Sequence, residues 1–228
     1  MLVRIIQLVW IRHLNNGKLS KNVSQNETIS LFFDFAYQGF ASGNMELDAA
    51  AIRMFVASGK ECFVAQSFSK NLGFYSERLG CMMTVTSTPD QATNVKSQLC
   101  QIIRGMYSNP PSHGARVAAQ IMTTPTLFTE WEQELRLMSS RLSEMRQMLY
   151  EALVANNTPG DWSHIQTQIG MFTFLGLNEN QVARLIDHYH IYLTSNGRVS
   201  VAGLSRATIP YLANAIKEVV SVQESKLQ

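Results

Sequence analysis

Between Thr126 and Thr158 the chain contains neither proline nor glycine. Within that window Trp131, Leu135, Met138, Leu142, Met145 and Leu149 recur at spacings of four and three, the period of one buried helical face. The pattern predicts a single helix from about Pro125 to Asn156, ended by Asn157-Thr158-Pro159-Gly160. Some 30 residues at ~1.5 Å each reach about 45 Å, longer than one compact domain. Such a helix belongs to two bodies, and any fold proposed for the chain has to supply both.

The remaining composition is that of an ordinary globular protein. The 228 residues are 46% hydrophobic and 16% charged, which excludes a collagen, a disordered tail and a disulfide scaffold. A net charge of +2 gives no electrostatic reason to expect nucleic acid or a membrane surface as a partner. Cys62, Cys81 and Cys100 are odd in number and lack a C-x-x-C or Cys/His cluster, so neither a disulfide framework nor a zinc site is expected. Their presence favours a reducing compartment. Met1 to Trp10 is apolar but interrupted by Arg4 and Gln7, and is far shorter than the ~20 residues of a membrane span. No acidic residue precedes Glu27, while Arg4, Arg12, Lys18 and Lys21 are basic, a trait shared with transit peptides. The reading preferred is a short irregular extension.

Residues 14–30 are polar and turn-rich, and read as a linker. Leu31 to Asp34, Cys62 to Ala65 and Met82 to Val85 read as short buried strands. A helix is expected from about Leu47 to Ala57, stopped by Ser58-Gly59. Strands alternating with helices indicate an α/β layer. After Pro89 the pattern is mainly helical, and Ser108-Asn109-Pro110-Pro111 suggests a turn followed by a helix with proline in its first turn. Beyond the long helix come a strand from Gly170 to Leu175 and a helix capped by Asn178. Short strands near Ile191 and Val199 and a final helix from about Arg206 to Val220 complete the pattern.

Lys70 is the sharpest chemical candidate. It lies in a small, polar loop directly after a buried strand, where α/β sheets present ligands. A desolvated lysine there can attack a carbonyl, although most loop lysines are simply solvated. Asp34 ends an apolar strand with Tyr37 three residues on, either a charge paired within a site or the opening of a turn. Arg78, Arg104 and Arg198 are candidate anion binders, Arg198 being held after the Asn196-Gly197 turn, near a hairpin. His188 and His190 are two apart, on different faces of a helix, and no metal site is assigned. G-x-S-x-G, G-x-G-x-x-G and P-loop sequences are absent.

Ser67-Phe68-Ser69-Lys70-Asn71, followed by Tyr75-x-Glu77-Arg78-x-Gly80, resembles the aspartate aminotransferases, class I enzymes of fold-type I that use pyridoxal 5'-phosphate. The resemblance continues collinearly through Phe32 to Gly43, Tyr107 to Pro111 with Gly114-Ala115-Arg116, Gln168 to Phe172, and Asn196 to Leu204. It implies an α/β fold: the truncated C-terminal part of a three-layer α/β/α cofactor-binding domain over residues 30–137. An α+β small domain over 138–228 would be joined to it by the long helix, with residues 1–29 as an extension unlike the family.

The resemblance also implies roles. Lys70 would form a Schiff base with the cofactor and later act as the base that moves a proton. Asp34 would pair with the pyridine nitrogen, Tyr37 with the phenolic oxygen, and Ser67 and Arg78 with the phosphate. Arg198 would bind the α-carboxylate of a dicarboxylic amino acid or 2-oxo acid. Arg104 would reach the distal carboxylate in a partner's site, and Phe172 and Asn109 would line the pocket. The implied reaction is transamination between L-aspartate and 2-oxoglutarate in a homodimer, in the cytoplasm or in a mitochondrion or plastid. Phe35 stands where the family usually has a smaller residue. The N-P-T-G segment, the ring-stacking aromatic residue, the glycine-threonine phosphate loop and the partner tyrosine have no counterpart in the sequence. The expectation is a truncated form with weak activity or none alone. A non-catalytic partner of a full-length subunit and a gene-model fragment are the alternatives.

Overall fold

A computed structural model describes residues 31–224, which divide into two compact units between Glu134 and Leu135. The first is built on a three-stranded sheet of order β1-β2-β3. Strand β1 (Leu31–Phe35) runs parallel to β2 (Cys62–Ser67), and β2 runs antiparallel to β3 (Gly80–Val85). Alternation along the strands sends Phe33, Cys62 and Val64 to one face, where Val64 is 2% exposed. Helix α2 (Ala50–Ala57) covers that face with Ile52 and Phe55, the Phe55 ring meeting Phe33 edge-on at 5.4 Å.

The crossover between β1 and β2 is broken where one helix was expected. A four-residue helix α1 (Met45–Asp48) precedes α2, opened by the Asn44 side chain, which accepts from the backbone N–H groups of Glu46 and Leu47. The carboxylate of Asp48 accepts from the N–H groups of Gly39, Ala41 and Ser42, so it holds the preceding loop. These polar anchors set the start and the break, and apolar periodicity does not register them.

Helix α3 (Pro89–Tyr107) opens with a reciprocal Thr88–Gln91 capping box, and α4 (His113–Thr123) follows. Pro110 and Pro111 lie before the N-cap Ser112, so they shape the approach to α4 rather than its first turn. Helix α5 (Pro125–Ala155) has 31 residues, and the division between units falls within it. Asn157, at φ 52°, ends it. Its N–H donates to Val154 O at 2.9 Å and that of Thr158 to Leu153 O at 3.0 Å, a Schellman arrangement.

In the second unit α5 buries Leu135, Leu142, Met145, Leu149 and Leu153. Helix α6 (His164–Thr167), β4 (Phe172–Phe174), α7 (Glu179–Tyr189), β5 (Arg198–Ser200), a 3-10 turn (Val201–Gly203) and α8 (Ile209–Glu224) complete it. Strands β4 and β5 pair antiparallel. Asn178 caps α7 as expected, with Gln181 returning the bond. No strand forms around Ile191, because its N–H is spent on Leu185 O, closing the end of α7 after His190 turns left-handed. Helix α8 starts three residues later than expected. Ser205 and Thr208 first exchange backbone-to-hydroxyl bonds of 3.0 and 3.2 Å. Among the described residues no helix is long and apolar enough to cross a membrane.

Leu149 is 0% exposed and Leu137, on the same helix, is 71% exposed. Leu149→Ala is expected to lose about 2–5 kcal/mol in urea unfolding, and Leu137→Ala about 0.5 kcal/mol or less.

Candidate active site

Because β1 and β2 are parallel, their carboxyl ends share one edge of the sheet. The register pairs Asp34 with Ala65 and Phe35 with Gln66. With Phe33 and Val64 directed into the core, Asp34, Ala65 and Ser67 belong to the opposite face. Asp34 is exposed there, and its carboxylate has no hydrogen-bond or ion-pair partner among the described residues. It is the fourth residue of β1, not the opening of the following turn, which is closed by Phe40 N–H donating to Tyr37 O at 3.1 Å.

Lys70 lies in the loop between β2 and β3, which is held from within. Phe68 N–H donates to Leu79 O at 3.1 Å, and Leu72 and Phe74 both return N–H bonds to Phe68 O. Phe68 and Leu79 are buried with Ala118 of α4, and Leu72, Phe74 and Cys81 pack against them. Ser69 N–H donates to Ser67 Oγ at 3.2 Å, and Trp131 Nε1 on α5 donates to Asn71 O at 2.7 Å. The lysine is thereby presented from an ordered loop. Its Nζ lies 5.2 Å from the Tyr37 ring centroid and 5.6 Å from that of Tyr75, a cation between two aromatic rings.

A polar clasp ties the two strand ends together. Gln66 Nε2 donates to Gln38 Oε1 at 2.5 Å, Gln38 Nε2 to Met45 O at 3.1 Å, and Asn71 Nδ2 to Gln38 O at 3.5 Å. Asn71 is only 2% exposed, and its Oδ1 has no partner. Gln38, Gln66, Asn71, Trp131 and Tyr75 were not singled out as site residues. Tyr75 and Asn71 stand inside the motif around Lys70, and Gln38 inside the run from Phe32 to Gly43. Gln38, Gln66, Asn71 and Trp131 nevertheless meet only through contacts 28 to 60 positions apart in sequence.

Asp34, Tyr37, Ser67 and Lys70 thus share one edge, and Arg78 lies in the lysine loop. Arg78 adopts φ 50°, uncommon for a side-chain-bearing residue, and its Nη1 donates to Tyr75 O at 3.0 Å. Arg104 and Asn109 are exposed and make their hydrogen bonds within their own turn. Arg104 Nη1 donates to Ser108 Oγ at 3.3 Å, and Asn109 Nδ2 to Pro110 O at 3.3 Å. In the second unit the structure joins two of the sequence candidates directly. The Arg198 guanidinium lies 4.4 Å from the Phe172 ring centroid, on the sheet face opposite buried Thr173 and Val199. The Asn196-Gly197 turn is present, with Gly197 N–H donating to Thr194 O at 2.9 Å, but it leads into one strand rather than joining two.

The family described as aminotransferase class I and II matches residues 18–216 of this chain. "Aspartate aminotransferase 3, chloroplastic" of Arabidopsis thaliana is 53% identical over 201 residues, 88% of this chain and 45% of that protein. Other matching aspartate aminotransferases carry cytoplasmic or mitochondrial names. The crystal structure of aspartate aminotransferase from Trypanosoma cruzi superposes with a TM-score of 0.81 at 48% identity, over 84% of this chain and 48% of that one. That of an aromatic-amino-acid aminotransferase from Burkholderia pseudomallei, covalently bound to pyridoxal phosphate, gives 0.80 at 43% identity, over 83% and 47%. The chain spans about half the length of the curated relatives it matches.

Gly80 pairs with Ser67 at the mouth of the lysine loop, and a Cβ there would stand 2.5 Å from Gln66 O. Its neighbour Cys81 has its thiol pKa raised by burial to about 11. At pH 8 iodoacetamide should modify Cys81 about two hundredfold more slowly than a free thiol of pKa ~8.5, the ratio of their thiolate fractions. Gly80→Ala should force β2 and β3 apart and erase most of that protection, measured by mass spectrometry of the labelled peptide.

Proposed function

We propose that this chain, which belongs to the class I and II aminotransferase family, carries the lysine-bearing part of a pyridoxal-phosphate site for amino-group transfer between L-aspartate and 2-oxoglutarate. The products are oxaloacetate and L-glutamate. The observation that carries the reading is the single polar edge at the ends of β1 and β2. There the Lys70 amine stands 5.2 Å from the Tyr37 ring, beside the open face that bears Asp34 and Ser67.

The residues present fit the cofactor in chemical kind. A carboxylate suits a protonated ring nitrogen, a phenol the ring oxygen, a hydroxyl and a guanidinium the phosphate, and a primary amine the aldehyde. Ala65, between Asp34 and Ser67 on that face, carries nothing beyond Cβ and leaves room for a flat ring. When bound, pyridoxal 5'-phosphate supplies an aldehyde and an electron-withdrawing ring. Asp34, Tyr37, Ser67 and Arg78 are the groups that hold and orient it.

Lys70 holds the aldehyde end and, once released, accepts and returns a proton at Nζ. The clasp of Gln66, Gln38 and Asn71 keeps Lys70 and Tyr37 in register, so little reorganisation is needed at the moment of proton transfer. Arg198, exposed and braced against Phe172, offers a planar fork to a substrate carboxylate. Arg104 serves the distal carboxylate across a homodimer or a pairing with a full-length subunit, with Asn109 beside it. The three cysteines are unpaired in a form suited to the reducing cytoplasm.

The test is borohydride fixation. Purified chain mixed with pyridoxal 5'-phosphate and reduced should gain one phosphopyridoxyl group on the peptide containing Lys70, and Lys70→Ala should not. The added mass is that of the cofactor less one oxygen, because water leaves on condensation and two hydrogens enter on reduction. Asp34→Ala should raise the cofactor concentration for half-maximal labelling about tenfold or more, because hydrogen bonds to charged groups contribute ~1.5–3 kcal/mol. A chain that folds but shows no Lys70-dependent adduct overturns the reading.

A further inference from the structure

Strand β4 has three residues and one partner strand, yet its outer edge is also engaged. Towards β5 the bonds are made by its flanking residues, with Val201 N–H donating to Met171 O at 2.8 Å and Leu175 N–H to Gly197 O at 3.0 Å. Phe172 and Phe174 therefore direct their backbone groups to the outer edge. No strand lies there among the described residues; two side chains take its place. Gln168 acts on Phe174 as a paired strand would, Oε1 accepting from its N–H at 2.8 Å and Nε2 donating to its carbonyl at 3.2 Å. Oε1 also accepts from Thr173 Oγ1 at 3.0 Å.

Arg146 of α5 supplies the donor for the Phe172 carbonyl. It is 6% exposed, and its Nη2 donates to Phe172 O at 2.6 Å and to Gly170 O at 2.7 Å, while Nη1 donates to Ile165 O at 3.4 Å. All three acceptors are carbonyls, and no carboxylate pairs with the guanidinium among the described residues. Burial lowers its pKa, the expected result for a cation kept from water and stabilised by dipoles alone. A methionine or leucine would serve packing on this helix face without that desolvation penalty. What the guanidinium adds is position: one planar group binds Gly170 before the strand and Phe172 at its start, fixing the backbone from which the Phe172 ring projects beneath Arg198.

We propose that Arg146 and Gln168 are positioning residues for the carboxylate-binding arginine. By completing the outer edge of β4 they fix Phe172, and its ring fixes the guanidinium of Arg198. The proposal rests on the reading of Arg198 as the substrate-carboxylate group, but its structural part can be measured without cofactor or turnover.

The experiment uses the full chain labelled with ¹⁵N in arginine, the Arg198 Nε–H signal being assigned by its loss in Arg198→Lys. Stacking on Phe172 shifts that signal by the ring current. In Arg146→Lys and in Gln168→Ala the signal should move towards the position of a free arginine, and the Kd for succinate, read from the same signal, should rise about fivefold or more. Far-ultraviolet circular dichroism should stay unchanged. If Arg146→Lys fails to fold, Gln168→Ala carries the test, because it opens the same edge without exposing a buried cation site. An Arg198 signal and a succinate Kd unchanged in a folded variant overturn the proposal. Failure of the unaltered chain to bind succinate counts against the reading of Arg198, while the signal shift still decides whether the edge positions it.

Discussion

The parallel register of β1 on β2 is the constraint on which the candidate site depends. Pairing Asp34 with Ala65 puts Phe33 and Val64 into the core beneath α2, and leaves the carboxylate, the alanine and Ser67 on the other face. A slip of β1 by one residue would exchange its faces, burying an unpaired carboxylate and exposing Phe33. The apolar term that holds the sheet together thus also fixes which side is open to chemistry. The parallel direction adds the second element: it brings the chain after β1, with Tyr37, to the same edge as the chain after β2, with Lys70.

Once that edge exists, polar contacts make it specific. The lysine loop is anchored by buried Phe68 and Leu79 and by Trp131 bonding Asn71, so the segment that carries Lys70 is held on both sides of it. The Gln66–Gln38–Asn71 clasp joins segments 28 and 33 positions apart. Within the second unit, α5 works by similar means. Its apolar face fills the core, while Arg141 donates to the carbonyls of Ala202 and Leu204 after β5 and Arg146 donates to those before and within β4. Short strands that would be frayed on their own are held by guanidinium groups from a helix.

Local sequence made much of this legible. The uninterrupted helical period of α5, the Asn178 cap and the three apolar runs of the first sheet each stem from a short-range rule, and each forms where that rule puts it. The errors have a common source as well. The break at Ala49, the late start of α8 and the missing strand at Ile191 are all set by side-chain or backbone hydrogen bonds that apolar periodicity does not encode. The place of Lys70, in the loop that follows β2, follows from the local sequence, and the motif around it is what makes it the candidate rather than any other loop lysine. Gln38 and Asn71 lie within the motifs, but what they do there, like the part played by Arg146, shows only in their partners.

By itself the sequence determined the kinds of elements, their order and the chemical types available to a site. Those follow from the period of apolar side chains, from capping residues and from the presence of an amine, a carboxylate, a phenol and guanidinium groups in particular segments. Only the tertiary structure decided which groups meet. Parallel pairing, the face assigned to Asp34, the two rings around Lys70 and the stacking of Arg198 on Phe172 all depend on contacts between residues distant in the chain. Their energies lie in burial and in hydrogen bonds made after the backbone has come together, so no local window of sequence contains them.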